Sequence, residues 1–276
     1  MRRVVAIALF VTMLGATGCG GGPGRVAAPA LGAATACVTP SGDAPVHRSQ
    51  LAMARRSEIT GARRALDPVV WAPARRGCAP PLILFSHGHY GDPSGCSRLC
   101  SALAASGFLV VAPHHPERGT PLNLQAAERD DDLASTLRQL KLRFDRRRIA
   151  VAGHSFGGRT AVELASLEPR VRAVITMAGG ADRGTTASIT APTLMMAGGR
   201  DTVDPVRLSE ASLRALPRTT PHGLLVVARA EHGGLIDGCA AIGACEQVAR
   251  PASAFLLTYL MRMPGRDGPL KGLMSR

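Results

Sequence analysis

A serine flanked by glycines is the residue best placed for nucleophilic chemistry in this chain. The segment G-H-S-F-G, residues 153–157, follows a short apolar run at 149–152 and precedes a helix-compatible run at 159–167. Strand, G-x-S-x-G and helix in this order indicate a nucleophile elbow, in which the serine stands on a tight, strained turn. Side-chain-free neighbours tolerate such close backbone packing. Ser155 is therefore the predicted nucleophile.

A general base must accompany this serine, because a serine hydroxyl is barely ionised at neutral pH. The chain has eight histidines, and His232 lies in the segment A-E-H-G-G, directly after the last apolar strand candidate. An imidazole in that loop could reach back over Ser155. His154 is next to the nucleophile in sequence, so we expect its side chain to point away and to pack. His232 is the predicted base.

A carboxylate is needed to hold the imidazole in one tautomer and to stabilise its positive charge. Asp201 follows the strand candidate at 193–197 and is the first choice. Asp204 precedes Pro205, where a helix is predicted to open, and so fits a helix cap. Asp182 follows the preceding strand, and both alternatives stay open. The order serine, aspartate, histidine differs from the orders in chymotrypsin and subtilisin.

Two backbone amides are predicted to stabilise the oxyanion of an acyl-transfer reaction. One belongs to Phe156, directly after the nucleophile, at the positive end of the dipole of the next helix. The second is assigned to His89, in the loop S-H-G-H-Y-G that follows the apolar run 81–85. Tyr90 in the same loop and His115 after the next strand are candidates for lining the substrate pocket.

A metal site is the competing interpretation of the histidines in these loops. Four of them are close in sequence: His87, His89, His114 and His115. No carboxylate lies at ligand spacing, and one loop already has a role in the predicted oxyanion site. The sequence therefore predicts neither a metal nor a cofactor.

The elements that must position these residues alternate along the chain. The strand candidates are residues 81–85, 108–112, 149–152, 171–177, 193–197 and 223–228, with edge strands at 58–60 and 67–71. The helix candidates are residues 97–105, 126–144, 159–167, 206–216 and 248–262. This alternation predicts an α/β fold with a mostly parallel sheet covered by helices on both faces. Active sites in such sheets lie beyond the carboxyl ends of the strands, where every candidate residue falls.

The N-terminal segment has the composition of an export signal. Residues 1–18 combine two arginines with an apolar stretch too short to span a bilayer. The segment L-G-A-T-G-C resembles a bacterial lipobox, which would make Cys19 the lipidated first residue of a periplasmic, outer-membrane or cell-surface lipoprotein. Ordinary secretion with cleavage near Ala28 or Ala30 is the alternative. Residues 19–45 are rich in Gly, Ala and Pro and predict a flexible linker.

The predicted catalytic domain spans residues 46–264, and residues 265–276 are predicted to form a loose tail. Only residues 181–191 separate two strand candidates after the elbow, so no large lid is expected there. The net charge of +13 comes almost wholly from arginine. Because aromatic residues make up only 3% and the arginines are dispersed, nucleic-acid binding is not expected. Attraction to anionic membrane surfaces fits better.

Seven cysteines fit an exported chain, because six remain for disulfides once Cys19 is set aside. Local pairing favours the candidates Cys239–Cys245, Cys96–Cys100 and Cys37–Cys78. The spacing of four between Cys96 and Cys100 on a predicted helix makes that pair the weakest. A zinc site is the other interpretation, but the chain has no C-x-x-C pair.

Taken together, four segments resemble the α/β-hydrolase superfamily. They are F-S-H-G at 85–88, G-H-S-F-G-G at 153–158, D-T-V-D-P at 201–205 and E-H at 231–232. The resemblance covers roughly residues 68–262 and is to a bacterial branch of dienelactone-hydrolase-like, platelet-activating-factor-acetylhydrolase-like and polyester-hydrolase-like proteins. It implies a serine hydrolase that cleaves carboxylic esters through an acyl-enzyme, on a small or surface-presented substrate. Peptidase or thioesterase action and a catalytically silent binding protein are the alternatives.

Two departures from this branch concern the substrate and the acid. Polyester hydrolases usually carry a tryptophan after the strand that follows the elbow helix, whereas this chain has M-A-G-G at 177–180. In acetylhydrolases of the platelet-activating-factor type the acid follows that same strand, which keeps Asp182 open. Acyl length, alcohol group and oligomeric state have no signal in the sequence.

Overall fold

The computed structural model describes residue 38 and residues 42–75, 77–263 and 273–275. The predicted signal segment 1–18, the predicted lipidation site Cys19, Cys37 and most of the predicted linker 19–45 lie outside these ranges. Within them, every helix is too short or too polar to cross a bilayer.

A nine-stranded sheet, counted over the described residues, forms the centre of the molecule, and a separate hairpin lies beside it. The strands are β1 (Val46–Gln50), β2 (Ala54–Arg56), β3 (Arg63–Ala65), β4 (Val69–Pro73), β5 (Pro81–Ser86), β6 (Leu109–Ala112), β7 (Asp145–His154), β8 (Val171–Met177), β9 (Thr193–Gly198), β10 (His222–Val227) and β11 (Met274–Ser275). Their order in the sheet is β1-β4-β6-β5-β7-β8-β9-β10-β11, and β2 pairs with β3 in the hairpin.

The six inner strands of this sheet, from β6 to β10, run parallel to one another. The outer strands β1, β4 and β11 pair antiparallel with their neighbours. Strands β5 and β9 are buried along their whole length, as expected where helices cover both faces. The predicted α/β-hydrolase fold is confirmed.

Helices cover the two faces of the sheet and create a core on each. They are α1 (Ser97–Ala105), α2 (Leu122–Gln139), α3 (Phe156–Leu167), α4 (Arg183–Ala187), α5 (Val206–Ala215) and α6 (Cys245–Phe255). Alternate residues of β5 point to opposite cores, so Ile83 packs with α1 and α6 while Leu82 packs with α2 and α3. Each Å² of apolar surface removed from water stabilises the fold by about 25 cal/mol. Burial on both faces therefore holds β5 and β7 at the centre of the sheet.

Two predicted elements are wrong. Residues 58–60 form the turn of the β2–β3 hairpin and not an edge strand, because the Ser57 hydroxyl accepts hydrogen bonds from the amides of Ile59 and Thr60. The predicted loose tail ends in strand β11, whose Met274 and Ser275 pair with β10.

The disulfide predictions have mixed outcomes. Cys239 and Cys245 form the predicted bond, which closes the loop before α6. Cys78 is also disulfide-bonded, while its predicted partner Cys37 lies outside the described residues. The predicted Cys96–Cys100 bond is wrong, since both are buried free thiols. The Cys96 Sγ donates to the Pro93 carbonyl at 3.1 Å, and burial raises the pKa of the Cys100 thiol well above its ordinary value.

Candidate active site

Ser155 stands at the sharp turn between β7 and α3. Its backbone has φ 53° and ψ −124°, the strained conformation that a nucleophile elbow requires. A Cβ on Gly153 would lie 2.1 Å from the Gly157 carbonyl oxygen, and one on Gly157 would lie 2.0 Å from the carbonyl oxygen of Ser86. Only glycine permits this approach of three backbone segments, which is why the flanking glycines of the motif are needed here.

His232 opens a short 3₁₀ turn, His232–Leu235, just beyond the carboxyl end of β10. Its Nδ1 lies 2.8 Å from Oδ2 of Asp201, and its ring lines the same cleft as Ser155. The imidazole is a quarter exposed, whereas the Asp201 side chain is fully buried. Asp201 Oδ1 accepts the amides of Val203 and Asp204 at 2.8 and 2.9 Å, which fixes the carboxylate in place.

The two alternative acids have different surroundings. Asp182 is exposed and caps α4, where its Oδ1 accepts the amides of Gly184 and Thr185 at 2.8 and 3.1 Å. Asp204 lines the Ser155 cleft, and burial together with the nearby charge of Asp201 raises the pKa of its carboxyl. The hydrogen bond to His232 therefore favours Asp201 as the acid.

The two residues predicted to supply the oxyanion donors, Phe156 and His89, line the same cleft, and their rings lie 5.3 Å apart. Phe156 is the first residue of α3, so its amide belongs to the set that a helix leaves unpaired at its positive end. His89 lies in a turn after β5 that is closed by a hydrogen bond from Gly91 N to Gly88 O at 3.0 Å. The His89 ring is held by Gln125, whose Oε1 lies 2.7 Å from Nε2.

A fully buried arginine of α2 contacts both predicted oxyanion segments. Arg129 donates to the carbonyl of His87, and its Nη1 lies 2.6 Å from Oε1 of Glu117. Glu117 in turn accepts the amide of Tyr90, so the loop that contains His89 is tied to this guanidinium at His87 and, through Glu117, at Tyr90. The same group stacks on the Phe156 ring at 5.0 Å. Residues 129–133 resemble the helix before the elbow strand in related hydrolases and are expected to be structural, whereas no motif in the sequence links Arg129 or Glu117 to the loops they hold.

A second charged layer anchors the β2–β3 hairpin to α2. Asp132 accepts hydrogen bonds from Arg55 at 2.7 Å and from Arg64 at 2.8 and 2.6 Å, and His115 Nδ1 lies 3.2 Å away. Burial alone would raise the pKa of Asp132, but the bonds from Arg64 and His115 hold it well below its ordinary value. This layer supports α2, which carries Arg129.

The prediction that Tyr90 and His115 line the substrate pocket is wrong. Both border a separate depression of about 460 Å³, and neither is among the residues that line the Ser155 cleft. The His115 side chain is fully buried between Asp132 and the Ser86 hydroxyl, which lies 3.0 Å from Nε2. Tyr90 stacks on the outer side of the His89 ring.

His154, directly before the nucleophile, is bonded to the loop of the predicted base. Its Nε2 donates to the carbonyl oxygen of His232 at 2.8 Å, and the two rings lie 4.8 Å apart. Burial lowers the pKa of His154 to about 4, so its imidazole is neutral at physiological pH. The sequence predicts only packing for this side chain, and its bond to the His232 loop is an additional function.

The cleft that contains Ser155 and His232 has a volume of about 950 Å³. Its rim carries three large apolar side chains that are unusually exposed: Leu122 at 72%, Val203 at 69% and Leu208 at 43%. Exposed apolar groups around a concave site are typical of binding surfaces for apolar ligands. Only the short helix α4 lies between β8 and β9, in agreement with the expected lack of a large lid at this position.

The histidine cluster considered as a metal site has other contacts. His87 Nδ1 donates to the Gly88 carbonyl at 2.8 Å, and its Nε2 accepts the His115 amide at 3.2 Å. Both ring nitrogens are therefore engaged with backbone. Over the described ranges, the His, Cys, Asp and Glu side chains form no group of three or more that could hold a metal ion.

Buried neutral histidines should make folding stability depend on mildly acidic pH. The pKa of His115 and His154 is lowered by burial to about 4, and that of His87 lies well below 6.5. A histidine with a lowered folded-state pKa stabilises the fold above its unfolded pKa and loses this contribution as the pH falls. Burial raises the pKa of the Asp130 carboxyl to about 6, so the folded protein takes up a proton there as the pH falls. This proton offsets the one that a single histidine takes up in the unfolded protein.

We therefore expect unfolding between pH 6 and 5 to take up about two protons, so that stability falls by roughly 2.7 kcal/mol per pH unit. Urea denaturation at constant ionic strength measures this slope. His154→Gln should reduce it by about 1.4 kcal/mol per pH unit. The exposed His47 provides the control, since His47→Gln should leave it unchanged. A flat profile from pH 6 to 5 would contradict the neutral state of these imidazoles.

Comparison with known protein families adds to these geometric observations. A family model described as PET hydrolase-like matches residues 70–246, a range that contains Ser155, Asp201 and His232. This chain belongs to the PET hydrolase-like family. The resemblance to polyester hydrolases that the motifs predict is thereby confirmed.

Several curated proteins are similar to parts of this family member. Cutinase est1 of Thermobifida alba is 31% identical over 158 residues, which cover 54% of this chain and 52% of the relative. A cutinase of Thermobifida fusca (strain YX) is 30% identical over 131 residues, covering 45% and 42%. Platelet-activating factor acetylhydrolase of Cavia porcellus is 27% identical over 163 residues, covering 40% and 37%. The chain thus spans about half the length of the cutinases it matches.

Proposed function

We propose that this protein is a serine hydrolase of carboxylic esters, with Ser155 as nucleophile, His232 as general base and Asp201 as the acid that orients it. The observation that carries the proposal is the 2.8 Å bond between His232 Nδ1 and Asp201 at the edge of the cleft that holds Ser155. Membership of the PET hydrolase-like family and similarity to cutinases favour esters over amides or thioesters as substrates.

In the proposed reaction, Ser155 Oγ attacks the acyl carbon while His232 Nε2 takes the hydroxyl proton. The amides of Phe156 and His89 stabilise the oxyanion of the tetrahedral intermediate. His232 then gives the proton to the departing alcohol, which leaves an acyl-enzyme on Ser155. Water, deprotonated by the same imidazole, releases the acid.

The shape of the cleft supports an apolar ester as the substrate. Leu122, Val203 and Leu208 form an open apolar rim that can contact a surface-presented chain as well as a small molecule. The residues after β8, Ala178 to Gly180, supply backbone and small side chains at the centre of the cleft. An open cleft without a bulky aromatic at this position suits substrates that extend beyond the site on both sides.

The proposed location of the enzyme is outside the cytoplasm, tethered through lipidated Cys19 or freely secreted. The support comes from the export-type composition of residues 1–18, the lipobox-like L-G-A-T-G-C and the Cys239–Cys245 disulfide, a bond typical of oxidising compartments. Incorporation of a radiolabelled fatty acid that is abolished by Cys19→Ser tests the anchor.

A fluorophosphonate probe tests the proposed activity directly, because it bonds to the oxygen of an activated serine with loss of fluoride. We expect one probe per protein, mapped by mass spectrometry to the peptide containing Ser155, with loss of nitrophenyl ester hydrolysis in proportion to labelling. Parallel assays with a peptide anilide and a thioester measure the alternative activities. Labelling of other serines only, or none, would refute an activated Ser155.

A further inference from the structure

The wing of the cleft between α4 and α5 carries a set of groups that the proposed ester chemistry does not use. Arg183 at the start of α4 and Arg214 near the end of α5 both line the cleft, and both are exposed. Arg214 lies 3.8 Å from Glu210, at the outer limit of an ion pair. An exposed pair at this distance contributes little, so the guanidinium stays available to a ligand.

A buried hydroxyl lies in the same wing. Ser209 on α5 is 3% exposed and lines the cleft, and within the described residues its Oγ has no hydrogen-bond partner. An unpaired buried hydroxyl costs free energy, and such a group in a cleft indicates a ligand atom that completes its bonding. Ser212, one turn further along α5, also lines this wing.

The side chains that line the cleft carry more positive than negative charge. The lining residues include three arginines and one carboxylate, Asp204. Arg159, the third arginine, lies on α3 and is paired with Asp130 of α2 at 2.7 Å. Arg183 and Arg214 are therefore the two cleft-lining arginines on α4 and α5, and Val203 and Leu208 line the same cleft.

From these positions we infer that the α4–α5 wing binds the carboxylate end of an ester substrate with an apolar body, through Arg183, Arg214 and the Ser209 hydroxyl. The inference rests on the proposed esterase function and specifies its substrate class. Hydrolysis adds water across the ester bond: the acyl carbon gains the hydroxyl, and the alkoxide takes the proton. A substrate of this class is itself the product of an earlier ester cleavage, because hydrolysing a polyester leaves one fragment with a carboxylate end.

Two pairs of esters with matched length test the inference. One pair is the 4-nitrophenyl monoester of octanedioic acid and the same compound with its free acid methylated, followed by nitrophenol release. The other pair, 4-acetoxybenzoate and its methyl ester, places the carboxylate on the leaving alcohol. Each kcat/KM is divided by the alkaline hydrolysis rate of the same ester. We expect about thirtyfold selectivity for the carboxylate in at least one pair, about threefold from each arginine and from the Ser209 hydroxyl.

Salt and variants then locate the selectivity. It should shrink towards one in about 0.5 M NaCl, because exposed charges are screened. Arg183→Gln/Arg214→Gln should lower it about tenfold through a higher KM for the carboxylate ester. The control Arg172→Gln/Arg218→Gln removes the same charge at the amino-terminal edge of the sheet and should leave the selectivity unchanged.

Ser209→Ala distinguishes a ligand-binding hydroxyl from a structural one. Because this hydroxyl has no partner in the described residues, its removal should leave stability equal or higher while reducing the selectivity about threefold. Equal turnover of acid and methyl ester in both pairs would overturn the inference and leave the esterase proposal intact. No turnover of any of the four esters would instead refute the esterase proposal.

Discussion

Replacing Ser155 by alanine is expected to lower kcat for nitrophenyl ester hydrolysis by about 10⁶-fold, the loss seen when a triad nucleophile is removed. The oxyanion amides and the cleft remain, so a small residual rate over water is expected. The fold should persist, because alanine and serine meet the same strain at a φ of 53°. Nitrophenol release followed over short and long times measures the loss of activity, and circular dichroism checks that the fold persists.

Ser166→Ala is the matched control for this variant. Ser166 lies near the end of the same helix α3, and its hydroxyl donates to the Glu163 carbonyl at 2.7 Å, far from the elbow in the chain. Its loss should leave kcat within about threefold of the parent, because Ser166 lies about three helical turns from the elbow. A Ser155→Ala enzyme with parental activity and a clean mass spectrum would end the proposed mechanism.

The second large effect concerns the acid. Asp201→Asn should reduce kcat by about 10³- to 10⁴-fold, because an amide at this position stabilises the wrong tautomer of His232 and no positive charge. The 2.8 Å contact between Asp201 Oδ2 and His232 Nδ1 is then made by a neutral group. The nucleophile and the oxyanion amides are unchanged, so the loss should appear in kcat more than in KM.

Two parallel variants make this test selective, because the sequence leaves three candidate acids. Asp182→Asn should keep kcat within about threefold of the parent and leave stability nearly unchanged, since asparagine caps a helix about as well as the aspartate that caps α4. Asp204→Asn should likewise keep most of its activity. If instead Asp182→Asn loses activity by orders of magnitude and Asp201→Asn does not, the acid belongs after β8 and the proposed triad is wrong.

The sequence predicted elements well where their signal is local. The helix at 97–105 and the strand at 171–177 have the predicted limits, since apolar runs and helical spacing depend on neighbouring residues. The helix predicted at 126–144 starts earlier and ends earlier, as Leu122–Gln139. Residues 58–60 form a turn and not the predicted strand, because the Ser57 hydroxyl accepts hydrogen bonds from amides in this segment. Alternation of residue types does not reveal this effect.

The cysteines show the same division. Cys239 and Cys245 are six residues apart across a short turn, and the sequence paired them correctly. Cys96 and Cys100 are closer still, yet both are free thiols in one core cluster, with Cys96 just before α1 and Cys100 within it. The helix and the packing of the core set the distance between the two sulfur atoms, and a short spacing in the sequence does not reveal that distance.

The sequence alone determined the α/β class, the elbow at Ser155 and the candidate partners Asp201 and His232, because each has a motif or a place at the end of an apolar strand. Only the tertiary structure decided which carboxylate meets His232, that Arg129 contacts both predicted oxyanion segments, and that His154 bonds to the His232 loop. The tertiary structure also places Tyr90 and His115 outside the cleft. These are contacts between residues distant in the chain, and packing of the sheet and its helices sets them.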